Sequence, residues 1–462
     1  MDAVHRVHFP GPRSANPYLV PLFGAGRLMD FVLLLLTTAV LLLRPQDFSP
    51  ETATIPVYLG LLVIAGVVAA GAILAQGSPE ALRRRPITVC MFGLFAAILL
   101  SHLSQGSLWG ARSSGVEFAK VLLLYVLVVA VVNTPARLQR LMTSLAGFAL
   151  IVATLALLQY HEVITLPQAT VLQQREYDEE TGDESFLPRL CGTGLFNDPN
   201  DLCLLLVIGM GVAGHALAQS RGWFTRLPWL GALGVFVYAL ALTQSRGGFL
   251  AFLVGLLLLF HARFGTWKAA AFAGVAVPVL MLLFAGRQTT FTDGTQAGED
   301  RIVLWREALT VFKEAPLFGI GQGLFEDHAG LVAHNSFVHC YAELGFFGGT
   351  LFLGAFLIGL WTLYRLGRPG VVFPAPSLQR LRPYVLAILA AYAMGMMTLS
   401  RAYIAPTYLV LGLATAYLSM ATRAAPLVLP RFDFALVRRL ALASVAFILI
   451  IHVFVKVSLS GG

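Results

Sequence analysis

The sequence predicts an all-α, polytopic membrane protein with about 12–13 transmembrane helices and a partly helical outer loop region. Three observations carry this expectation. First, 57% of the 462 residues are hydrophobic and only 12% are charged, against roughly 25% charged in soluble domains. Second, apolar runs recur along the chain at lengths close to the ~20 residues that cross a bilayer. Third, the basic residues gather in alternate loops, as topology demands of a membrane chain.

The elements follow in order. Residues 1–27 are polar and carry Arg6, Arg13 and Arg27; no small-residue cleavage site follows, so the run 28–43 reads as a signal anchor. Further spans are expected at 55–75, 86–103, 116–133, 138–159, 195–218, 228–243, 247–261 and 268–285, then at 335–364, 383–399, 402–420 and 436–456. The short runs 28–43, 228–243 and 247–261 leave the total open by one. With the N-terminus inside, 20 of the 32 basic residues fall in inner loops, including Arg83, Arg84, Arg85, Arg365, Arg368, Arg380 and Arg382. The positive-inside rule therefore places the N-terminus in the cytoplasm.

Two outer loops divide the remainder. The organisation expected is a cytoplasmic segment 1–27, spans over 28–159, an acidic loop 160–194, spans over 195–285, a second loop 286–334, and spans over 335–462. The first loop holds Glu176, Asp178, Glu179, Glu180, Asp183 and Glu184 and ends near Arg189. In the second, Ile302, Trp305, Leu309 and Phe312 recur at spacings of three and four. That pattern predicts an amphipathic helix lying in the outer interface, capped by Asp300 and ended by Pro316.

Several classes are disfavoured. The net charge of +8 is accounted for by loop arginines, so it gives no separate support for a nucleic-acid partner. Cys90, Cys191, Cys203 and Cys340 lack zinc-like spacing, and whether Cys191 and Cys340 pair is open. Asp47 has no acidic neighbour to form a metal-binding Asp-x-Asp. A lipid-linked sugar transporter or flippase would show two similar halves and midplane charges, neither of which stands out.

The chemistry-bearing residues cluster at outer-facing edges. Arg246, in Gln244-Ser245-Arg246-Gly247-Gly248, interrupts two apolar runs. It either snorkels to water or binds an anion, and a diphosphate suits its bidentate fork. Arg401 occupies a similar short turn, and Arg189 and Arg301 come from the two long loops. Phe196-Asn197-Asp198-Pro199-Asn200-Asp201 reads as a helix start with Asx capping and an early proline. Its surplus amides and acids, Asn197, Asp198 and Asn200, could also serve acceptor hydroxyls. His334 precedes Asn335, a candidate cap, with Glu343 two turns onward. Histidine titrates near pH 6.5, so at neutral pH it can take a proton from a hydroxyl. His339 and Glu343 share a helical face but lack a third ligand, so no metal site is expected. Gly319-Ile320-Gly321-Gln322-Gly323 is too weak a pattern for a nucleotide loop.

Taken together these motifs resemble the O-antigen ligase and O-antigen polymerase superfamily of bacterial inner-membrane glycosyltransferases. The resemblance rests on Phe196-Asn197-Asp198-Pro199-Asn200, Ser245-Arg246-Gly247, Arg301 to Trp305, Pro316 to Gly323, His334-Asn335 and Glu343-Leu344-Gly345, over roughly 190–365. It implies a GT-C-like architecture and an active site at the periplasmic face, without cofactor or metal. The donor would be a glycan on undecaprenyl diphosphate, transferred with inversion. The acceptor would be lipid A-core or a growing glycan, with protein O-glycosylation as the alternative. His334 would be catalytic, and Arg246 with Arg301 or Arg189 would hold the diphosphate. Asn197, Asp198, Asn200, Asn335, Glu343 and Arg401 would support the site or bind the acceptor. Membrane lipids and polysaccharide-assembly proteins are the partners it implies.

Overall fold

A computed structural model describes residues 26–48, 51–52, 55–165, 172–177, 184–283, 296–424 and 429–460. The N-terminal part comprises α1 (Gly26–Leu43), α2 (Val57–Val68), α3 (Ala70–Gln76), α4 (Pro79–Arg83), α5 (Pro86–Ser104), α6 (Leu108–Val131) and α7 (Pro135–Tyr160). A hairpin of β1 (Leu172–Tyr177) and β2 (Glu184–Arg189) then leads into α8 (Pro199–Gln219), α9 (Trp223–Leu242), α10 (Arg246–Phe264) and α11 (Thr266–Leu283). The C-terminal part holds α12 (Gln296–Glu314), α13 (Phe325–Ala329), α14 (Ser336–Arg365), α15 (Pro376–Met396), α16 (Ala405–Ala421) and α17 (Phe434–Ser460).

The molecule is an all-α, multi-pass membrane protein. Each expected apolar run falls on one helix, except 55–75, which is split between α2 and α3, and the described part of 268–285 lies on α11. Among the described residues, eight helices are long and apolar enough to cross a bilayer, or nine if α2 and α3 form one bent span. Those two helices meet at 75°, so the run 55–75 is broken rather than straight.

Burial separates the centre from the rim. In α8, 72% of the apolar window is buried, against 22% in α9 and in α17. A helix that is apolar all round must be covered by protein or lipid, and α9 and α17 turn much of their surface outward. α8 packs on α7, α9, α10 and α15, while α14 packs on α5, α12, α15, α16 and α17. α8 and α14 therefore form the axis around which the other helices gather.

Three features depart from the sequence reading. The loop 160–194 contains the antiparallel hairpin, in register from Leu172↔Arg189 to Tyr177↔Glu184; the acidic side chains on it lie outside the described ones. The amphipathic helix of the second loop begins at Gln296, so Asp300 sits inside α12 instead of capping it. Its apolar face is covered by protein: Ala308, Leu309 and Val311 cluster with Phe325, Val338, Ile451 and Val455. α17 is 27 residues long, or about 40 Å at 1.5 Å per residue, and packs on both α12 and α14. All four cysteines are free and buried, so Cys191 and Cys340 do not pair.

The third departure positions the site. The run 335–364 is two helical pieces broken at Gly345, where φ is 62° and ψ is −164°. Backbone groups opened by this break are satisfied by the glycine-rich segment after α12. Phe346 and Phe347 donate to the carbonyls of Pro316 and Leu317 at 2.7 and 3.1 Å, and Ile320 and Gly321 donate to Ala342 and Glu343 at 3.3 and 3.0 Å. A Cβ at Gly319 would lie 2.2 Å from the Glu343 backbone, and one at Gly345 would lie 2.4 Å from that of Leu317. The motifs Pro316 to Gly323 and Glu343 to Gly345 are thus two halves of one backbone joint.

Candidate active site

Three helices, α8, α10 and α14, begin at the same end of the bundle, each with its own capping side chain. Asp198 caps α8, accepting from the Asn200 amide at 2.7 Å. Ser245 caps α10, accepting from Gly248 at 3.0 Å. Asn335 caps α14, accepting from Phe337 and Val338 at 3.1 and 3.2 Å. The first two starts are joined, because Ser245 Oγ donates to Asn200 Oδ1 at 2.5 Å and Asn200 Nδ2 donates to Asp198 at 2.9 Å. Helix N-termini carry partial positive charge, so this end is already suited to an anion.

The arginines add to it. Arg189, at the end of β2, is buried, and its Nε donates to the Thr243 carbonyl at 2.9 Å. Arg246 opens α10, and Arg301 projects from the second turn of α12. The three lie within electrostatic reach of each other: burial lowers the Arg301 pKa from its ordinary value, and Arg246 and Arg189 lower it further. A guanidinium nevertheless stays charged at neutral pH. Three like charges held together this way favour a multiply charged anion among them.

His334 sits beside this cluster with a left-handed backbone, φ 49°. Its neighbours hold it in place. Trp305 Nε1 donates to the Ala333 carbonyl at 2.9 Å, Asn335 caps α14, and Ser336 Oγ donates to the Leu399 carbonyl at 2.5 Å. Burial pushes the His334 imidazole below 6.5, and Arg301 pushes in the same direction while Asp198 opposes it. The ring is therefore neutral at pH 7 and able to accept a proton.

Arg401 proves to be a different kind of arginine. Its Nε donates to both Asp201 oxygens at 2.8 and 2.9 Å and its Nη2 to one of them at 2.6 Å. Its backbone amide donates to Ser336 Oγ at 2.8 Å. This fork pins the turn before α16 to α8, and the Asp201 carboxylate already neutralises it. Asn197 is exposed next to the α8 cap. Glu343 is fully buried, 3.2 Å from His339 Nε2 and accepting from the Phe325 amide at 3.2 Å. It lies within the broken part of α14, below the His334 entrance. Among the described residues no group of three His, Cys, Asp or Glu side chains is placed to hold a metal ion.

Sequence reasoning passed over two contributors. Asp201 reads in sequence as one of the acids beyond what a single cap needs, with no sign of its partner; Asp198 serves as the cap and Asp201 holds Arg401. Trp305 reads in sequence as part of an apolar periodicity and of the Arg301–Trp305 motif, whereas its indole N–H anchors the residue before His334. In Ser245-Arg246-Gly247-Gly248, the glycines are needed for helix packing. A Cβ at either would lie 2.3 Å from Thr398 Oγ1 or Cys203 Sγ.

No curated protein matches the chain. The family model described as O-Antigen ligase matches residues 230–353, a segment that contains Arg246, Arg301, His334, Asn335 and Glu343 while Arg189, Asp198 and Arg401 lie outside it. Over that segment, about a quarter of its length, the chain is similar to the O-antigen ligase family.

Proposed function

We propose that the protein transfers a glycan from undecaprenyl diphosphate to an acceptor hydroxyl at the periplasmic face of the bacterial inner membrane. One observation carries this reading. Arg301 stands within electrostatic reach of Arg246 and Arg189, from two other elements, and of His334, whose pKa is lowered, at the end where three helices begin.

The chemistry follows from charge. The acceptor oxygen bonds to the anomeric carbon while the bond from that carbon to the diphosphate oxygen breaks, its electron pair leaving with the diphosphate. Arg246 and Arg301, with Arg189 behind them, stabilise the developing negative charge. His334 takes the proton released by the acceptor hydroxyl. Attack opposite the leaving group inverts the anomeric centre. Lipid A-core and a growing polysaccharide are the two acceptors that fit this scheme, and a protein hydroxyl is the third. The outward placement follows from inner loops rich in arginine.

The test uses purified protein in detergent with a lipid-linked glycan donor and each acceptor in turn. Release of undecaprenyl diphosphate in the presence of chelator is expected. His334→Ala should lower the rate by about 10²–10⁴-fold, the usual contribution of a general base. Full activity in that variant removes the base assignment, and loss of wild-type activity with chelator points instead to a metal-dependent route.

A further inference from the structure

At the end of the bundle opposite His334, α8, α10 and α14 terminate and α15 begins around a cavity of about 610 Å³. Small-molecule sites occupy roughly 300–1,000 Å³. Arg263, Arg368, Arg380 and Arg382 line it with Tyr384, and among the described residues no Asp or Glu lines it.

The helix ends oppose this charge only in part. Each C-terminus carries about half an elementary negative charge, so three of them offset about one and a half of the four guanidinium charges. Arg382 is the arginine that answers them directly. Its Nη1 donates to the Leu363 carbonyl at 3.2 Å and its Nη2 to Ala262 at 2.9 Å, in the last turns of α14 and α10. Arg263 donates to the Tyr384 hydroxyl, which leaves its charge intact. Arg368 and Arg380 are exposed, and among the described residues no acidic side chain lines the cavity beside them. α15 adds positive end charge, since it starts at Pro376 without a side-chain cap.

The surroundings identify what would bring the anion. Trp361, Tyr364 and Phe264, on the last turns of α14 and α10, are 53%, 48% and 47% exposed, and Trp267 at the start of α11 is 86% exposed. Exposed aromatics grouped at one level of a helical bundle mark the bilayer–water boundary. A basic cavity between helix ends at that level suits a lipid phosphate better than a freely diffusing one.

We infer that this cavity binds the phosphodiester headgroup of an anionic phospholipid, in the leaflet opposite the candidate active site. Arg368 and Arg380 contact the phosphate, while Arg263 and Tyr384 form the wall. The site is independent of the glycan-transfer reading, because none of its residues belongs to the His334 cluster.

The test measures lipid retained by the full-length protein in native mass spectrometry from detergent, with phosphatidylglycerol and phosphatidylcholine in competition. One phosphatidylglycerol retained in preference to phosphatidylcholine is expected. Each surface arginine contributes about a factor of five, so Arg368→Gln with Arg380→Gln should weaken that retention by about 30-fold. Arg306→Gln, exposed on α12 at the other end, should leave it unchanged. Thermal unfolding in the same detergent checks that the double variant is folded, and Arg368→Gln alone, with about a fivefold loss, serves if it is not. Equal retention of the two lipids, or unchanged retention in the folded variants, overturns the proposal. So does displacement of the lipid by millimolar inorganic phosphate, which would make the site one for soluble phosphate.

Discussion

Replacing Gly345 with alanine tests whether the break in α14 is held by backbone geometry. Gly345 has φ 62° and ψ −164°, a region occupied essentially by glycine alone and costing about 1–3 kcal/mol for other residues. The added Cβ would also lie 2.4 Å from Leu317 C and 2.5 Å from Leu317 O and Phe318 N. Backbone has no side-chain freedom with which to yield, so the 316–321 segment must move. That movement stretches the bonds from Phe346, Phe347, Ile320 and Gly321 described above, each contributing about 0.5–1.5 kcal/mol. Partial re-pairing with water returns some of this, and a net loss of about 3–6 kcal/mol is expected. Transfer activity should fall with it, because Ala333 and His334 are carried between this joint and α14. The assay is chemical unfolding in detergent, paired with the rate of diphosphate release. Gly234→Ala in α9 is the control: its Cβ meets nothing within 4 Å, so stability should change by less than about 1 kcal/mol. Stability of Gly345→Ala within that same band would refute the argument that the two motifs form a glycine-dependent joint.

Two further outcomes follow from the site. Asp201→Ala leaves the Arg401 guanidinium without its bidentate partner in a place where Asp201 is 2% exposed and Arg401 34%. Breaking a buried pair costs about 3–5 kcal/mol, and the exposure of Arg401 sets the expectation at the lower limit, about 3 kcal/mol; Asp201→Ala with Arg401→Met should recover part of it in the same unfolding assay. The pH dependence of transfer should show an acid limb below pH 6.5, since burial and Arg301 lower the His334 pKa from that value. Arg301→Gln removes one of these causes and should shift the limb to higher pH in the rate profile; an unshifted limb would separate His334 from the titrating group. The stability sign is fixed likewise. The unfolded histidine protonates first as pH falls below 6.5, so the contribution of His334 is complete above 6.5 and is lost on acidification toward its folded value.

Much of the fold was legible because hydropathy and charge act locally. The apolar runs became helices, with 55–75 split into α2 and α3, and the cap residues Asp198, Ser245 and Asn335 stand where short polar side chains precede apolar periodicity. The hairpin in 160–194 was not legible, because its acidic, turn-rich sequence carries no alternation to announce strands. The covered face of α12 was missed for a different reason. A 3–4 periodicity shows that a helix has an apolar side, but not whether lipid or α14 and α17 will cover it.

The roles of the polar residues divide the same way. His334 and the arginines could be singled out in the sequence because charged or titratable groups at apolar edges are costly and need a reason. Their pairing could not be foreseen. Asp201 and Arg401 are 200 positions apart, and Arg401 reads in sequence much like Arg246 until Asp201 is found within hydrogen-bonding distance. Likewise Gly319 and Gly345 read as separate turns until the backbone of Glu343 and Leu344 is seen filling the space of a Cβ at Gly319, and that of Leu317 and Phe318 the space of one at Gly345. Composition and periodicity are sums over neighbours in the chain, so by themselves they determine spans, caps and candidate charges. Which carboxylate pairs with which arginine, and which arginines come within electrostatic reach of Arg301 and His334, depends on where helices packed from distant segments bring their ends together.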